Sequence, residues 1–349
     1  MDVVVAGSHG LIGSALVADL AARGDSVRRL VRRGAESPDP ESPDPGSPDP
    51  GSPDPGSFEA GSSGIGSSHG GHAAAGENLA GDTLVRDVLW DPRTGELDPA
   101  ALEGADAVVN LAGAGIGDHR WTSAYKQTLL GSRTTTTSLL ARTIARLDAR
   151  PVLVNGSAIG AYGSRGNEVL TEESARGQDF LARLVEAWEN ATAPAAEAGA
   201  RVVWLRSGLV LAPSGGALGK LLPILRLGLG GPLGSGRQWW SWITLPDEIA
   251  AIRHVIATDA HGPVNAVAPE PATNRTLTRA LARALHRPAV LPVPRFALRI
   301  GLGQFADDLV SSQRVVPDVL ARTGFTWTHT EPQGAARWVV ETNEVSAPR

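Results

Sequence analysis

Cysteine is absent from the 349 residues, so disulfide frameworks, thiolate nucleophiles and cysteine-ligated metals are excluded together. Lysine occurs only as Lys126 and Lys220, and tyrosine only as Tyr125 and Tyr162, so any chemistry that needs an ammonium or a phenol has two candidates of each. No run approaches the roughly 20 apolar residues that span a bilayer, and no membrane partner is expected. With a formal net charge of -5, the chain also lacks the basic excess that a phosphate backbone demands, so nucleic acid is not an expected partner. The eight histidines are dispersed, with no pair at ligand spacing on a helix, and no metal is expected. The absence of cysteine and of a leader before the first strand points to the cytoplasm.

What is present is ordinary for a globular protein: 42% hydrophobic and 20% charged residues. The chain opens with an apolar strand over 2–6, a glycine turn, an apolar-periodic helix over about 11–23 and a second strand over 26–31. An interruption follows over 35–81: Ser-Pro-Asp-Pro units repeat from Ser37 to Gly56 and give way to Gly/Ser/Ala-rich sequence. Proline removes amide donors and nothing apolar repays ordering, so this stretch reads as a disordered insertion between two strands. Strands are then expected near 83–88, 106–111, 151–155 and 201–206, alternating with helices over 121–147 and 180–198. Strand–helix alternation implies an α/β fold with a doubly wound parallel sheet, a Rossmann-type domain over 1–212. Beyond it the elements shorten, and 213–349 reads as a smaller C-terminal α/β domain over the crevice, with some segments free to return to the sheet.

The segment Gly7-Ser8-His9-Gly10-Leu11-Ile12-Gly13 follows a strand and opens a helix, the context in which a glycine pattern marks a dinucleotide-phosphate loop. Gly7 permits the tight turn, Gly10 lets backbone approach a diphosphate, and Gly13 lets helix lie close on sheet. The free N–H groups at the helix start then favour negative charge. Enzymes that use NAD place an acid near the end of the second strand to hold the ribose diol; here that strand ends in Arg32-Arg33, which favours NADP(H).

These features, with Asn110 to Gly113, Arg120-Trp121, Ser132-Arg133, Gly156 to Ala158, Tyr162-Gly163, Trp188-Glu189, Leu205 to Gly208, Gly228 to Gln238, and Ala268-Pro269 with Asn274, resemble the short-chain dehydrogenase/reductase superfamily. The resemblance is to its extended, epimerase-like branch, within an atypical group that has its own C-terminal domain. It covers nearly all of the chain outside the insertion. It implies that Leu111, Ala112 and Gly113 lie against the adenine ribose and that Ser157 occupies the active-site serine position. The superfamily's Tyr-x-x-x-Lys pair is absent: Leu129 and Gly166 stand four residues after the two tyrosines, and the expected helix carries Leu181 and Val185.

Tyr162 is the nearest substitute acid, or an aromatic that packs at the crevice edge. Ser157 is a hydrogen-bond donor to a carbonyl, or satisfies a turn. Arg133 is a candidate for an anionic substrate or the nicotinamide side of the cofactor, or a helix-surface arginine. The loop over 227–238 and its continuation to Trp242, with Arg237, Gln238 and Trp239, reads as a substrate clamp or as a glycine-rich turn whose tryptophans join the core. Of the histidine and paired acid that the family carries in this segment, only Asp247 remains, at Trp242 to Asp247. The expected function is an NADP-dependent oxidoreductase or epimerase acting on a small carbonyl or alcohol. The alternative is a catalytically silent NADP-binding sensor or partner-binding protein, and a homodimer is open in either case.

Overall fold

The computed structural model describes residues 1–32, 84–228, 230–289 and 291–346. The 35–81 insertion and Arg33 lie outside the described residues. Among those residues, seven strands form one parallel sheet: β1 Asp2–Ala6, β2 Ser26–Arg32, β3 Val85–Trp90, β4 Ala107–Asn110, β5 Val152–Ala158, β6 Val202–Ser207 and β7 Gly262–Ala266. Their spatial order is β7-β6-β5-β4-β1-β2-β3, so the order reverses between β1 and β4. A parallel sheet with that reversal leaves a crevice outside the carboxyl ends of its strands. The α/β Rossmann-type reading therefore holds.

The strands are apolar because both faces are covered. On one face Val3, Val5, Val109, Val154 and Val203 pack against α1 Leu11–Ala22 and against Ile249, Ile252 and Val255 of the helix Leu245–Ala257. On the other, Val4, Val108 and Leu153 pack against Leu140 and Ile144 of α2 Ser123–Ile144. Successive side chains of a strand point to opposite faces, which produces this division. It also sends Ser157 and Arg206 to the face opposite Ser207.

The helix expected over 180–198 is broken in two, α3 Phe180–Asn190 and a short turn Ala193–Glu197. The Thr192 hydroxyl donates to the Glu189 carbonyl and Pro194 supplies no amide, so the first helix cannot run on. Beyond residue 212 the helix Leu245–Ala257 and β7 return to the sheet, and the remainder builds a further core in which Leu277 and Leu281 of the helix Asn274–Ala284 meet Ala335, Ala336 and Val339 of the helix Pro332–Ser346. The C-terminal region is thus interleaved with the sheet in space. No helix among the described residues is long and apolar enough to cross a membrane.

Candidate functional site

The carboxyl edge of the sheet carries the glycine loop after β1, Leu111 to Gly113 after β4 and Ser157 near the end of β5. Gly7 turns the chain after β1 with a φ of +83°, and a Cβ there would lie 2.6 Å from the Leu111 carbonyl carbon at the end of β4. A Cβ at Gly13 would lie 2.1 Å from the Gly7 carbonyl oxygen, so only glycine lets α1 seat against the turn. Gly10 differs: its Cβ would meet nothing nearer than that same carbonyl at 3.4 Å. It is the N-cap of α1, with no side chain capping the helix and no acid in its first turn. The first-turn amides of α1 therefore have no carboxylate competing for them, as an anion cradle requires.

Leu11 and Ile12 open α1: a Cβ at Gly216, the first residue of the helix Gly216–Arg226, would lie 3.1 Å from the Leu11 side chain, and Ile12 packs against the core. Ser8 is buried beside an exposed His9, with 3.5 Å between the hydroxyl and Nδ1. Arg32 is exposed at the end of β2, next to the loop. Ala112 donates its amide to Asn110 Oδ1 across 3.3 Å, which fixes the turn leading to Gly113. Beneath that turn, Asn110, Thr137, Asn155 and the Trp188 indole form a closed buried network with contacts of 2.7 to 3.1 Å. It locks β4, β5, α2 and α3 into one frame.

Arg133 of α2 lies over the crevice side of this frame. Its guanidinium sits 4.9 Å from the Trp188 ring centroid and donates to the Leu129 carbonyl at 3.1 Å, and its side chain packs on Gly113. Burial lowers its pKa from the ordinary arginine value. No carboxylate pairs with it among the described residues.

Ser157 ends β5 and donates its hydroxyl hydrogen to Glu189 Oε1 at 2.6 Å. Glu189, on α3, is fully buried and receives Arg206 in a bidentate pair at 2.9 and 3.0 Å, with Arg176 on its second oxygen. Burial pushes its carboxyl upward, but the hydrogen bonds and charge of Arg206, helped by Ser157 and Arg176, more than offset this and leave it below the usual range. Glu189 is therefore ionised, and the Ser157 oxygen, having given its hydrogen, keeps its capacity to accept one.

Tyr162 is also fully buried, within an apolar cluster of Ile159, Leu170, Val267 and Val315. Its hydroxyl donates to Asn265 Oδ1 at 2.7 Å and accepts from Arg206 at 2.9 Å. Burial raises its pKa, Arg206 acting in the opposite sense. With its donor hydrogen given to Asn265 and its oxygen accepting from Arg206, the buried phenol is engaged inside the protein, as the packing alternative describes. Tyr125 donates to the Gly115 carbonyl, and Lys126 reaches Gln304 at 2.7 Å, so neither stands free as acid or base.

The loop beyond Gly228 is a folded turn. Its Gly234 amide reaches the Val293 carbonyl at 2.8 Å, its Leu233 amide reaches Asn274 Oδ1 at 2.8 Å, and Gln238 is buried with its amide nitrogen on the Leu233 carbonyl. Trp242 is in the core. Trp239 pairs with Asn167 at 2.9 Å and stacks under Arg314, while Arg237 is exposed. Of the two readings of this loop, the packed turn is the one realised, and it brings Gln238 and Trp239 to neighbours other than Ser157. Asp247 likewise accepts the Thr328 and His329 amides at 2.7 and 3.0 Å and the Thr244 hydroxyl at 2.8 Å, tying the C-terminal region to its helix.

Sequence reasoning missed the Glu189–Arg206 pair. Glu189 stands four residues after the buried Val185, on the apolar stripe of α3, and Arg206 sits inside an apolar strand; a carboxylate and a guanidinium at core positions signal a buried pair. No group of three metal-ligating side chains occurs among the described residues.

Comparison with known proteins places these features in a lineage. Residues 3–268 match the family described as NAD dependent epimerase/dehydratase, and residues 293–339 match a domain of unknown function, DUF1731. The chain is 40% identical over 329 residues to an epimerase family protein of Mycobacterium bovis, covering 94% of this chain and 93% of that one. Among solved structures it resembles the human epimerase family protein SDR39U1 (isoform 2), crystallised with NADPH. There the TM-score is 0.76 at 30% identity, over 98% of this chain and 99% of that one. A nucleoside-diphosphate sugar epimerase from Corynebacterium glutamicum gives a TM-score of 0.68 at 30% identity, over 97% of this chain and 58% of that one.

Proposed function

Since the chain belongs to the NAD dependent epimerase/dehydratase family, we propose that it binds NADP(H) along the carboxyl edge of the sheet and acts as an oxidoreductase or epimerase on a small carbonyl or alcohol. The glycine cradle fits the group: Gly7 and Gly13 admit no Cβ, Gly10 leaves its flank open, and no acid occupies the first turn of α1. The α1 amides would hold the diphosphate, Leu111 to Gly113 the adenosine ribose, and Arg32 a 2′-phosphate. A human relative crystallised with NADPH supports the phosphorylated form. Arg133, a half-buried cation with no carboxylate partner, would meet negative charge on the substrate or on the nicotinamide side. When bound, the cofactor supplies the hydride.

The observation that carries the reading is the Ser157–Glu189 contact at the end of β5. Because the serine proton is committed to an ionised carboxylate, Ser157 orients a substrate hydroxyl by accepting its hydrogen. As that hydroxyl loses its proton, the proton passes to Ser157 Oγ while the serine's own proton moves to Glu189 Oε1. Arg206 and Arg176 hold Glu189 in its charged form, so it is a weak base and turnover should be slow.

Single-turnover oxidation of NADPH by activated dicarbonyls such as quinones, which need little acid assistance, tests this. Weak oxidation by the wild type, slowed in Ser157→Ala more for unactivated ketones, which need a proton, than for quinones, and with NADPH affinity intact, is the expected result. No oxidation with any acceptor would overturn the enzymatic reading and leave the NADP-binding sensor. That second reading is favoured by two observations: α3 carries Leu181 and Val185 where the superfamily pair would stand, and Tyr162 is buried.

A further inference from the structure

The helix Asn274–Ala284 caps itself through Thr273, buries Leu277, Ala280 and Leu281, and turns Arg275, Arg279 and Arg283 outward at intervals of four residues. After it the chain reverses at His286, whose φ is +54°, and the Arg287 amide returns to the Ala282 carbonyl at 2.8 Å. The reversal brings a fourth arginine onto the same face. Together with Pro232, Pro288 and Pro292, the four line a cavity of about 440 Å³, within the range of small-molecule sites.

The charge in this cavity differs from that of the paired arginines elsewhere in the chain. Arg23, Arg29, Arg165, Arg206, Arg253 and Arg322 each meet a carboxylate. Among the described residues, none that lines the cavity is acidic, and the helix Asn274–Ala284 contains no acid at all. Arg275 donates to the Ser235 carbonyl at 2.8 Å; among the described residues, the guanidinium groups of Arg279, Arg283 and Arg287 make no hydrogen bond or ion pair. Like charges four residues apart on a helix repel one another, and among the described residues no carboxylate relieves them, in a chain whose net charge is -5.

We propose that this cavity binds a small polyanion bearing two or more phosphates, of the nucleoside di- or triphosphate class, separately from the cofactor crevice. Guanidinium forks take phosphate oxygens in pairs, and several forks around one concavity match a chain of phosphates better than a single charge. The proline and alanine walls supply the apolar surface on which a ring can lie. None of the lining residues belongs to the glycine loop, to Leu111 to Gly113 or to the Ser157 cluster, so the site stands whether or not the enzymatic reading does.

The test is calorimetric titration of the full chain with tripolyphosphate and with ATP at about 150 mM salt, where exposed charges farther apart than about 8 Å are screened. Variants are Arg279→Ala with Arg283→Ala, both exposed and outside the core, and Arg142→Ala on α2 as a control for general charge. The expected result is one site per chain, weakened at least tenfold in the double variant, unchanged in Arg142→Ala and not displaced by saturating NADPH, with equal NADPH affinity in all three proteins. Absence of binding, equal weakening in Arg142→Ala, or displacement by NADPH would each overturn the proposal. The melting temperature of the double variant, expected to match the wild type, separates loss of the site from loss of the fold.

Discussion

Ser157 and Glu189 stand 2.6 Å apart across the junction of β5 and α3, with the hydroxyl donating to a carboxylate that is itself clamped by Arg206. The contact joins function to stability, because the same buried charge that sets the direction of the serine hydrogen bond also neutralises a buried guanidinium. Removing one member of such a pair leaves the other desolvated and unpaired.

Glu189→Ala should therefore cost about 3–5 kcal/mol of folding stability, whereas Ser157→Ala, which removes one hydrogen bond to a charged group, should cost about 1.5–3 kcal/mol. Glu189→Gln should fall between, since its amide keeps an acceptor for Arg206 and loses the charge. Urea unfolding at neutral pH measures all three. A midpoint for Glu189→Ala equal to that of the wild type would show that the pair does not hold α3 to the sheet.

A second buried acid should reveal itself through pH. Glu248, in the first turn of the helix Leu245–Ala257, accepts the Ser207 hydroxyl on one oxygen, leaves the other without a partner, and is pushed by burial up to about 7, Ser207 acting in the opposite sense. Its unfolded value is 4.5. Between these values the unfolded chain releases a proton that the folded chain retains, so the contribution to stability is full below about pH 4.5, falls as pH rises and has been lost above about pH 7. At about 1.4 kcal/mol per pH unit, the full effect is on the order of 3 kcal/mol. Glu248→Gln removes the titration. The variant should gain stability relative to the wild type between pH 5 and 8 and show no such gain near pH 4; a difference independent of pH would refute the assignment.

Cofactor preference follows from the end of β2. Arg32 is exposed there with no acid beside it in sequence, so NADPH should bind at least tenfold more tightly than NADH, and Arg32→Ala should narrow the gap by weakening NADPH alone. Fluorescence titration of both cofactors against both proteins decides this. Equal affinities in the wild type would remove the 2′-phosphate role from Arg32.

Much of the site was legible because its signals are local. The strand, glycine turn and helix over residues 2–22 follow one another directly, and Gly13 and Gly10 meet Gly7 within the same turn, although the Leu111 backbone that crowds Gly7 comes from a strand end far along the chain. Ser157 was legible as a strand-end residue for the same reason. Tyr162 was not: the groups that claim its hydroxyl, Arg206 and Asn265, lie 44 and 103 residues away, and no period in the sequence shows that they meet. The turn beyond Gly228 admits two readings in sequence because its anchors, Val293 and Asn274, arrive only with the later C-terminal elements. The Arg206 pair had a signal, charge on buried stripes, but that signal gives position without partner.

The glycine loop offers the sharpest separation between packing and binding, because its three glycines meet different things. Gly7→Ala and Gly13→Ala would each drive a methyl group into backbone, at 2.6 and 2.1 Å, and Gly7 also holds a φ of +83°, so both should unfold the turn and lose cofactor binding together with stability. Gly10 has an extended φ of -74° that alanine adopts freely, and its Cβ would reach only the ordinary contact distance of 3.4 Å. Glycine there serves no packing need. If the loop cradles a diphosphate, the added methyl group stands where the ligand must approach, and Gly10→Ala should bind NADPH at least tenfold more weakly while its stability shifts by no more than about 0.5 kcal/mol, the usual range for a surface substitution. Thermal melts with and without NADPH measure both quantities on one sample: the apo melting temperature should stay near wild type, and the rise on adding cofactor should shrink as mass action requires. An undiminished rise in Gly10→Ala would mean that nothing approaches the backbone at that position, and the dinucleotide-phosphate role of the loop would fail with it.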